Sequence, residues 1–271
     1  MGDIIIAPSI LSGDFSRLGD EACRMEQGGA DWLHLDVMDG HFVPVITFGA
    51  QAVKDLRSRT KLFFDVHLMV EHPERHIEDF LIAGADMITM HVEAMAPFQA
   101  RQAIWEVHAA GKLAALSLKP ATPIEEIHPF LERLDMVLAM TVEPGFGGQA
   151  FMADMLPKIK ILREEIARRG LSTIIQVDGG INEQTIASAA EAGANCFVAG
   201  SSIFNAENAK EAIARLRVGA AAYPPPQSLT SPAGDVGDSS PKGEPPAEPA
   251  KVAPLGGAKA SWENASCSVA S

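Results

Sequence analysis

Short aliphatic and β-branched runs alternate with longer amphipathic stretches from the start of the chain to about Val218. Eight runs read as strands: Ile4–Ser9, Trp32–Met38, Leu62–Val70, Met87–Glu93, Lys112–Leu118, Met136–Val142, Thr173–Asp178 and Cys196–Gly200. The intervening stretches carry helix punctuation. Ser16–Gln27 stops at Gly28-Gly29, Pro97–Ala110 at Gly111, Phe151–Arg169 at Gly170 and Glu183–Ala192 at Gly193. Helices are also predicted over Gly49–Ser58, Pro73–Ala83, Pro123–Arg133 and Asn208–Arg217. Strict β/α alternation implies a parallel sheet with right-handed crossovers, and eight units predict a single (β/α)8 TIM barrel. The rival is an open doubly wound sheet. It usually places a glycine-rich turn after the first strand, where this chain has Ala7-Pro8-Ser9.

From Ala222 the pattern ends. Pro224-Pro225-Pro226 opens a stretch of Pro, Gly, Ser, Ala and mixed charge that buries too little apolar surface to offset ordering entropy. The expected organisation is a catalytic barrel over 1–221 and a disordered tail over 222–271. Trp262, the one large aromatic from Pro224 onward, is assigned no role.

Strand periodicity locates the candidate chemistry. In Leu33-His34-Leu35-Asp36-Val37-Met38 the leucines and valine share one face, while His34, Asp36 and Met38 share the other. An imidazole and a carboxylate on a buried face are costly unless they bind something. Phe63-Phe64-Asp65-Val66-His67-Leu68-Met69 puts His67 and Met69 together, and Ile174–Val177 runs into Asp178. Barrel sites lie at the C-terminal ends of strands. A lone histidine there is more often a satisfied core residue. Four such groups, His34, Asp36, His67 and Asp178, instead predict one divalent metal, with zinc, iron(II), manganese and cobalt all compatible. His91 is left open between pocket and rim. His41 is placed near the mouth, and His72, His76, His108 and His128 are expected to be solvated. Lys119 as a Schiff-base lysine is redundant beside a metal site.

Glycine-rich turns follow strands six, seven and eight: Glu143–Gln149, Asp178–Asn182 with Asn182 as a helix cap, and Gly200-Ser201-Ser202. Such turns let backbone amides approach an anion, and together they predict a phosphate cradle. Asp36 and Asp178 come from well-separated strands, so they can face a substrate from opposite sides. One takes a proton beside a carbonyl and the other returns it on the other face. Met38, Met69 and Met140 fall on the same strand faces and are expected to cap the intermediate with apolar surface.

The chain has 271 residues, enough for one large α/β domain, and a formal charge of −13. That charge argues against nucleic-acid and anionic-membrane partners, though not against phosphate held by backbone N–H groups. Met1-Gly2-Asp3 lacks a basic leader, and no apolar run approaches a membrane span. Three cysteines without a framework suit a reducing compartment, so a cytoplasmic location is expected.

These motifs carry a resemblance. Ala7–Leu11, Leu33–Pro44, Asp65–Met69, Met140–Gln149 and Val177–Gly180 resemble the ribulose-phosphate 3-epimerase family, over essentially Asp3 to Val218. The resemblance implies interconversion of D-ribulose 5-phosphate and D-xylulose 5-phosphate through a cis-enediolate. It places the metal on His34, Asp36, His67 and Asp178, with zinc or iron(II) usual. It makes Asp36 the proton acceptor and Asp178 the donor. Contacts with the phosphorylated ketopentose fall on Ser9, His67, Gly145, Phe146, Gly147, Gly148, Asp178, Gly179, Gly180, Gly200 and Ser201. Dimers or hexamers are the implied assemblies. Val45 stands where the family commonly has Asn, and the tail has no counterpart. Two other classes compete with this: a metal-assisted aldolase or decarboxylase needing one acid–base carboxylate, and a non-enzymatic phosphosugar-binding or scaffolding barrel.

Overall fold

The computed structural model describes residues 4–223. Its eight strands are β1 Ile5–Pro8, β2 Trp32–Met38, β3 Phe63–Met69, β4 Met87–His91, β5 Leu113–Leu118, β6 Met136–Met140, β7 Ile174–Asp178 and β8 Cys196–Ala199. All pair in parallel in one sheet ordered β1-β8-β7-β6-β5-β4-β3-β2. The β1–β2 seam closes the barrel through a parallel bridge between Ser9 and His34. Below it the Asp31 backbone N–H donates to the Ile6 carbonyl at 3.1 Å, and the Ile6 N–H donates to the Asp31 carboxylate at 2.7 Å. The barrel is thus the realised alternative; an open sheet would leave both edges unpaired.

The α-helices are α1 Leu18–Gln27, α2 Ala50–Arg57, α3 Ile77–Ala83, α4 Pro97–Ala109, α5 Leu156–Arg168, α6 Ile186–Glu191, α7 Ser201–Phe204 and α8 Ala209–Ala221. One expected helix does not form. Between β5 and β6 the chain makes two short 3-10 turns, Ile124–Glu126 and Leu131–Arg133. Pro129 explains this: it has no N–H to donate and disfavours helical geometry at His128. The 222–271 tail of the sequence reading, Trp262 included, falls beyond the described residues apart from Ala222 and Tyr223.

Strand alternation sets two cores. The outward residues Leu33, Leu35, Phe64, Val66, Leu68, Ile88 and Leu116 are fully buried against the helices. Each such side chain contributes about 1.5–3 kcal/mol by leaving water. Inside the barrel the floor is apolar: Met87, Ala115 and Met136, with Trp32 stacked on Phe63 at 4.5 Å. Above it lies a polar layer, Asp65, Thr89, Ser117 and Gln176, all without solvent exposure. His34, Asp36, His67 and His91 complete that layer near the mouth.

Candidate metal centre and active site

Parallel register builds the centre. His34 on β2 is level with Asp65 on β3, and Asp36 with His67, so period-two alternation aims all four side chains into the barrel. Asp178, at the end of β7, reaches in from the far side. Ligand atoms of His34, Asp36, His67 and Asp178 all lie within 4.8 Å of one another. His34 Nε2 is 3.2 Å from Asp36 Oδ1, 3.3 Å from His67 Nδ1 and 4.0 Å from Asp178 Oδ2. His67 Nδ1 is 3.3 Å from Asp36 Oδ1.

The donor set fits a divalent cation. His34 presents Nδ1 to the Asp65 carboxylate at 2.8 Å, and a carboxylate only accepts there. The His34 proton therefore sits on Nδ1, and a lone pair on Nε2 points at the cluster. Without a cation between them, these ring nitrogens and carboxylates hold together only by sharing protons, which is why Asp178 and His34 are both pushed toward their protonated forms. Two imidazoles with two carboxylates is the donor chemistry of zinc and its neighbours.

Asp65 and Gln176 are functional residues that the sequence reading missed. Asp65 also accepts from Thr89 Oγ1 at 3.1 Å and Gln176 Nε2 at 2.6 Å, which locks it under His34. The signal was available: Asp65 stands two before His67, and Gln176 two before Asp178, so each shares a face with a ligand.

The two carboxylates differ electrostatically. Burial, reinforced by the Asp36 charge, pushes Asp178 up to about 7. Burial also opposes ionisation of Asp36, but the His34 and His67 imidazoles outweigh it and hold Asp36 well below the usual carboxylate range. Ser9 Oγ donates to Asp36 Oδ2 at 2.5 Å, supporting the same charged form. One carboxylate is thus ready to accept a proton while the other is able to carry one.

Above the centre opens a pocket of about 360 Å³. Asp36, Asp178, Met38, Met69 and Met140 all line it. Ser9, Gly145–Gly148, Gly179, Gly180, Gly200 and Ser201 all line its walls. Phe146 lines it too while remaining largely exposed. Ser12, Asn182, Gln184 and Asn205 are further lining residues that the motifs had not indicated as contacts. Gly180 has φ of 68°, and a Cβ there would run into the Phe151 backbone. Only glycine allows that chain crossing at the pocket wall.

Several sequence expectations need adjustment. His67 is fully buried and is not among the residues that line the pocket. His91 is fully buried behind His67 rather than at the pocket surface. His41 is exposed in its turn and does not line the pocket. Lys119 Nζ stacks on the Phe42 ring at 3.9 Å, outside the pocket. His128 is not simply solvated, because its Nε2 is buried, and exposed His108 is paired with Asp135 at 2.8 Å. The N-cap of α6 is Thr185 rather than Asn182, whose side chain instead accepts from the backbone N–H groups of Gln184 and Thr185 in the turn before the helix.

Fold and site together define a (β/α)8-barrel enzyme with a metal-binding, two-carboxylate centre. The model of the ribulose-phosphate 3 epimerase family matches residues 5–204, and the chain belongs to that family. It is 48% identical over 215 residues to a Synechocystis ribulose-phosphate 3-epimerase, covering 79% of this chain and 94% of that one. It is likewise 48% identical to the cytoplasmic isoform from Oryza sativa, covering 78% and 92%. Among solved structures, 3-keto-L-gulonate-6-phosphate decarboxylase from Vibrio cholerae superposes with a TM-score of 0.62 at 14% identity, over 83% of this chain and all of that one. That likeness is one of fold.

Proposed function

We propose that this protein is an isomerase that interconverts D-ribulose 5-phosphate and D-xylulose 5-phosphate by inverting C3. The observation that carries the reading is the pairing of Asp36 and Asp178 in the pocket lining with opposed protonation preferences. His34, Asp36, His67 and Asp178 would hold one divalent metal, zinc or iron(II), which when bound polarises the ketone and hydroxyl oxygens so that the C3 hydrogen becomes acidic.

The chain's own groups supply the rest. Asp36, ionised and braced by Ser9, removes the C3 proton from one face of ribulose 5-phosphate. Asp178, protonated, delivers a proton to C3 from the other face, and the C3 stereocentre inverts through an enediolate. Met38, Met69 and Met140 cover the planar intermediate with side chains that exchange no protons, and they exclude water that would quench it without stereocontrol. Backbone N–H groups of Gly179, Gly180, Gly200 and Ser201 hold the phosphate, and Gly145 to Gly148 flank the sugar. These assignments are supported by the lining of the pocket and by the family's chemistry.

The barrel through Ala221 is proposed as the catalytic unit, since the family match and the closing helix α8 both end within it. A homo-oligomer and a cytoplasmic location complete the proposal. The latter draws on likeness to the rice isoform, and no described helix is long and apolar enough to cross a membrane. The decisive test is incubation with ribulose 5-phosphate in heavy water, followed by NMR. Xylulose 5-phosphate carrying deuterium at C3 is expected. Loss of carbon dioxide or carbon–carbon cleavage without inversion would overturn the reading.

A further inference from the structure

A second chain of buried groups runs from the metal centre in the opposite direction to Asp65. His67 turns Nδ1 toward Asp36 and His34, and its Nε2 lies 3.0 Å from His91 Nε2. His91 Nδ1 lies 3.1 Å from Glu93 Oε2. Glu93 Oε1 in turn accepts from the Lys119 backbone N–H at 2.7 Å and from the Thr122 hydroxyl. His67 and His91 are fully buried, with rings stacked 5.0 Å apart, and the Glu93 side chain is one-fifth exposed.

We infer that Glu93, acting through His91, is a positioning residue that fixes the proton of His67 on Nε2 and so keeps Nδ1 free to bind the metal. The inference rests on the metal-dependent reading above. Its logic is one of hydrogen-bond polarity. An ionised carboxylate can only accept, so His91 must carry its proton on Nδ1. His91 Nε2 is then an acceptor, and the facing His67 Nε2 must be the donor. That leaves a lone pair on His67 Nδ1, pointing at Asp36 and His34. From His67 Nε2 to Glu93, each hydrogen bond has one donor and one acceptor only in this arrangement of neutral imidazoles. The Lys119 N–H anchors it, because a backbone amide cannot reverse its role.

Glu93→Gln tests the polarity with little change of shape. The Lys119 N–H still needs an acceptor, so the new amide oxygen turns toward it and the amide nitrogen turns toward His91. The His91 proton then moves to Nε2, and the His67 proton moves to Nδ1, where it blocks the metal. His91→Gln is a second variant. It offers an acceptor where His91 Nε2 stood but cuts the link to Glu93. His91→Leu removes the acceptor altogether.

The readout is zinc affinity of the metal-free protein, measured by competition with a chromogenic chelator, beside the thermal midpoint of the same metal-free samples. Glu93→Gln is expected to bind zinc about 10–100-fold more weakly with its midpoint little changed, and His91→Leu more weakly still. Cobalt(II) absorption bands should shift in the same variants. Zinc affinity within about twofold of wild type in Glu93→Gln would overturn the inference and leave the metal centre standing. A wild-type protein that takes up no zinc would remove the metal centre and this inference together.

Discussion

The Asp65 carboxylate holds the Nδ1–H of His34 at 2.8 Å, with both side chains fully buried. This pairing sets the tautomer of the ligand and raises the basicity of its other nitrogen. Burial opposes protonation of His34, but the Asp36 and Asp65 charges prevail and raise its pKa well above the usual imidazole value. Asp65→Asn would set an amide N–H against one of three donors now satisfied, those of His34, Thr89 and Gln176. Zinc affinity should fall about 10–100-fold and stability by about 1–3 kcal/mol. Chelator competition and urea midpoints check both.

Asp178→Asn should separate proton removal from inversion. Asp36 keeps its Ser9 hydrogen bond in that variant and can still take the C3 proton and return a solvent deuteron to the same face. Turnover should drop about 10²–10⁴-fold, while ribulose 5-phosphate in heavy water still acquires label at C3 with its configuration retained. Asp36→Asn should abolish both label and inversion from that substrate. Near-wild-type inversion by either variant would contradict a two-carboxylate mechanism.

The pocket wall at Gly180 should not tolerate a side chain. Its φ of 68° strains any L-residue, and a Cβ would meet the Phe151 main chain, which cannot yield as a side chain does. Gly180→Ala should cost about 2 kcal/mol or more. Gly147 has no atom within 4 Å of such a Cβ, so Gly147→Ala should stay within about 0.5 kcal/mol of wild type. Paired denaturation curves make the comparison.

Acid should weaken the metal-free protein through His91. Burial pushes this imidazole down to about 4, so it stays neutral in the fold at pH values where the unfolded chain has already bound a proton. Its contribution is complete above the unfolded value and is lost as pH falls toward the folded one. That loss amounts to about 3 kcal/mol between roughly pH 6.5 and 4. Urea midpoints across that interval should fall less steeply in His91→Gln than in wild type.

How far these features were legible in the sequence varies with their physical origin. Strand periodicity was enough to place His34, Asp36, His67, Met38 and Met69 on inward faces, because alternation is a local property of the backbone. The helix expected over Pro123–Arg133 failed at Pro129, whose steric demand on His128 outweighed the apolar spacing. Asp65 and Gln176 were passed over although both obey the same alternation, because nothing in one strand says that its acid will meet an imidazole on the next.

The sequence by itself determined the (β/α)8 plan, the four candidate metal ligands and the glycines that shape the pocket wall, since each follows from spacing along the chain. Only the tertiary structure decided that burial pushes Asp178 up while the imidazoles hold Asp36 down, that His67 is buried away from the pocket lining, and that Glu93 reaches His67 through His91. Those outcomes depend on burial and on distances between strands far apart in the chain, and desolvation and Coulomb interaction act through space.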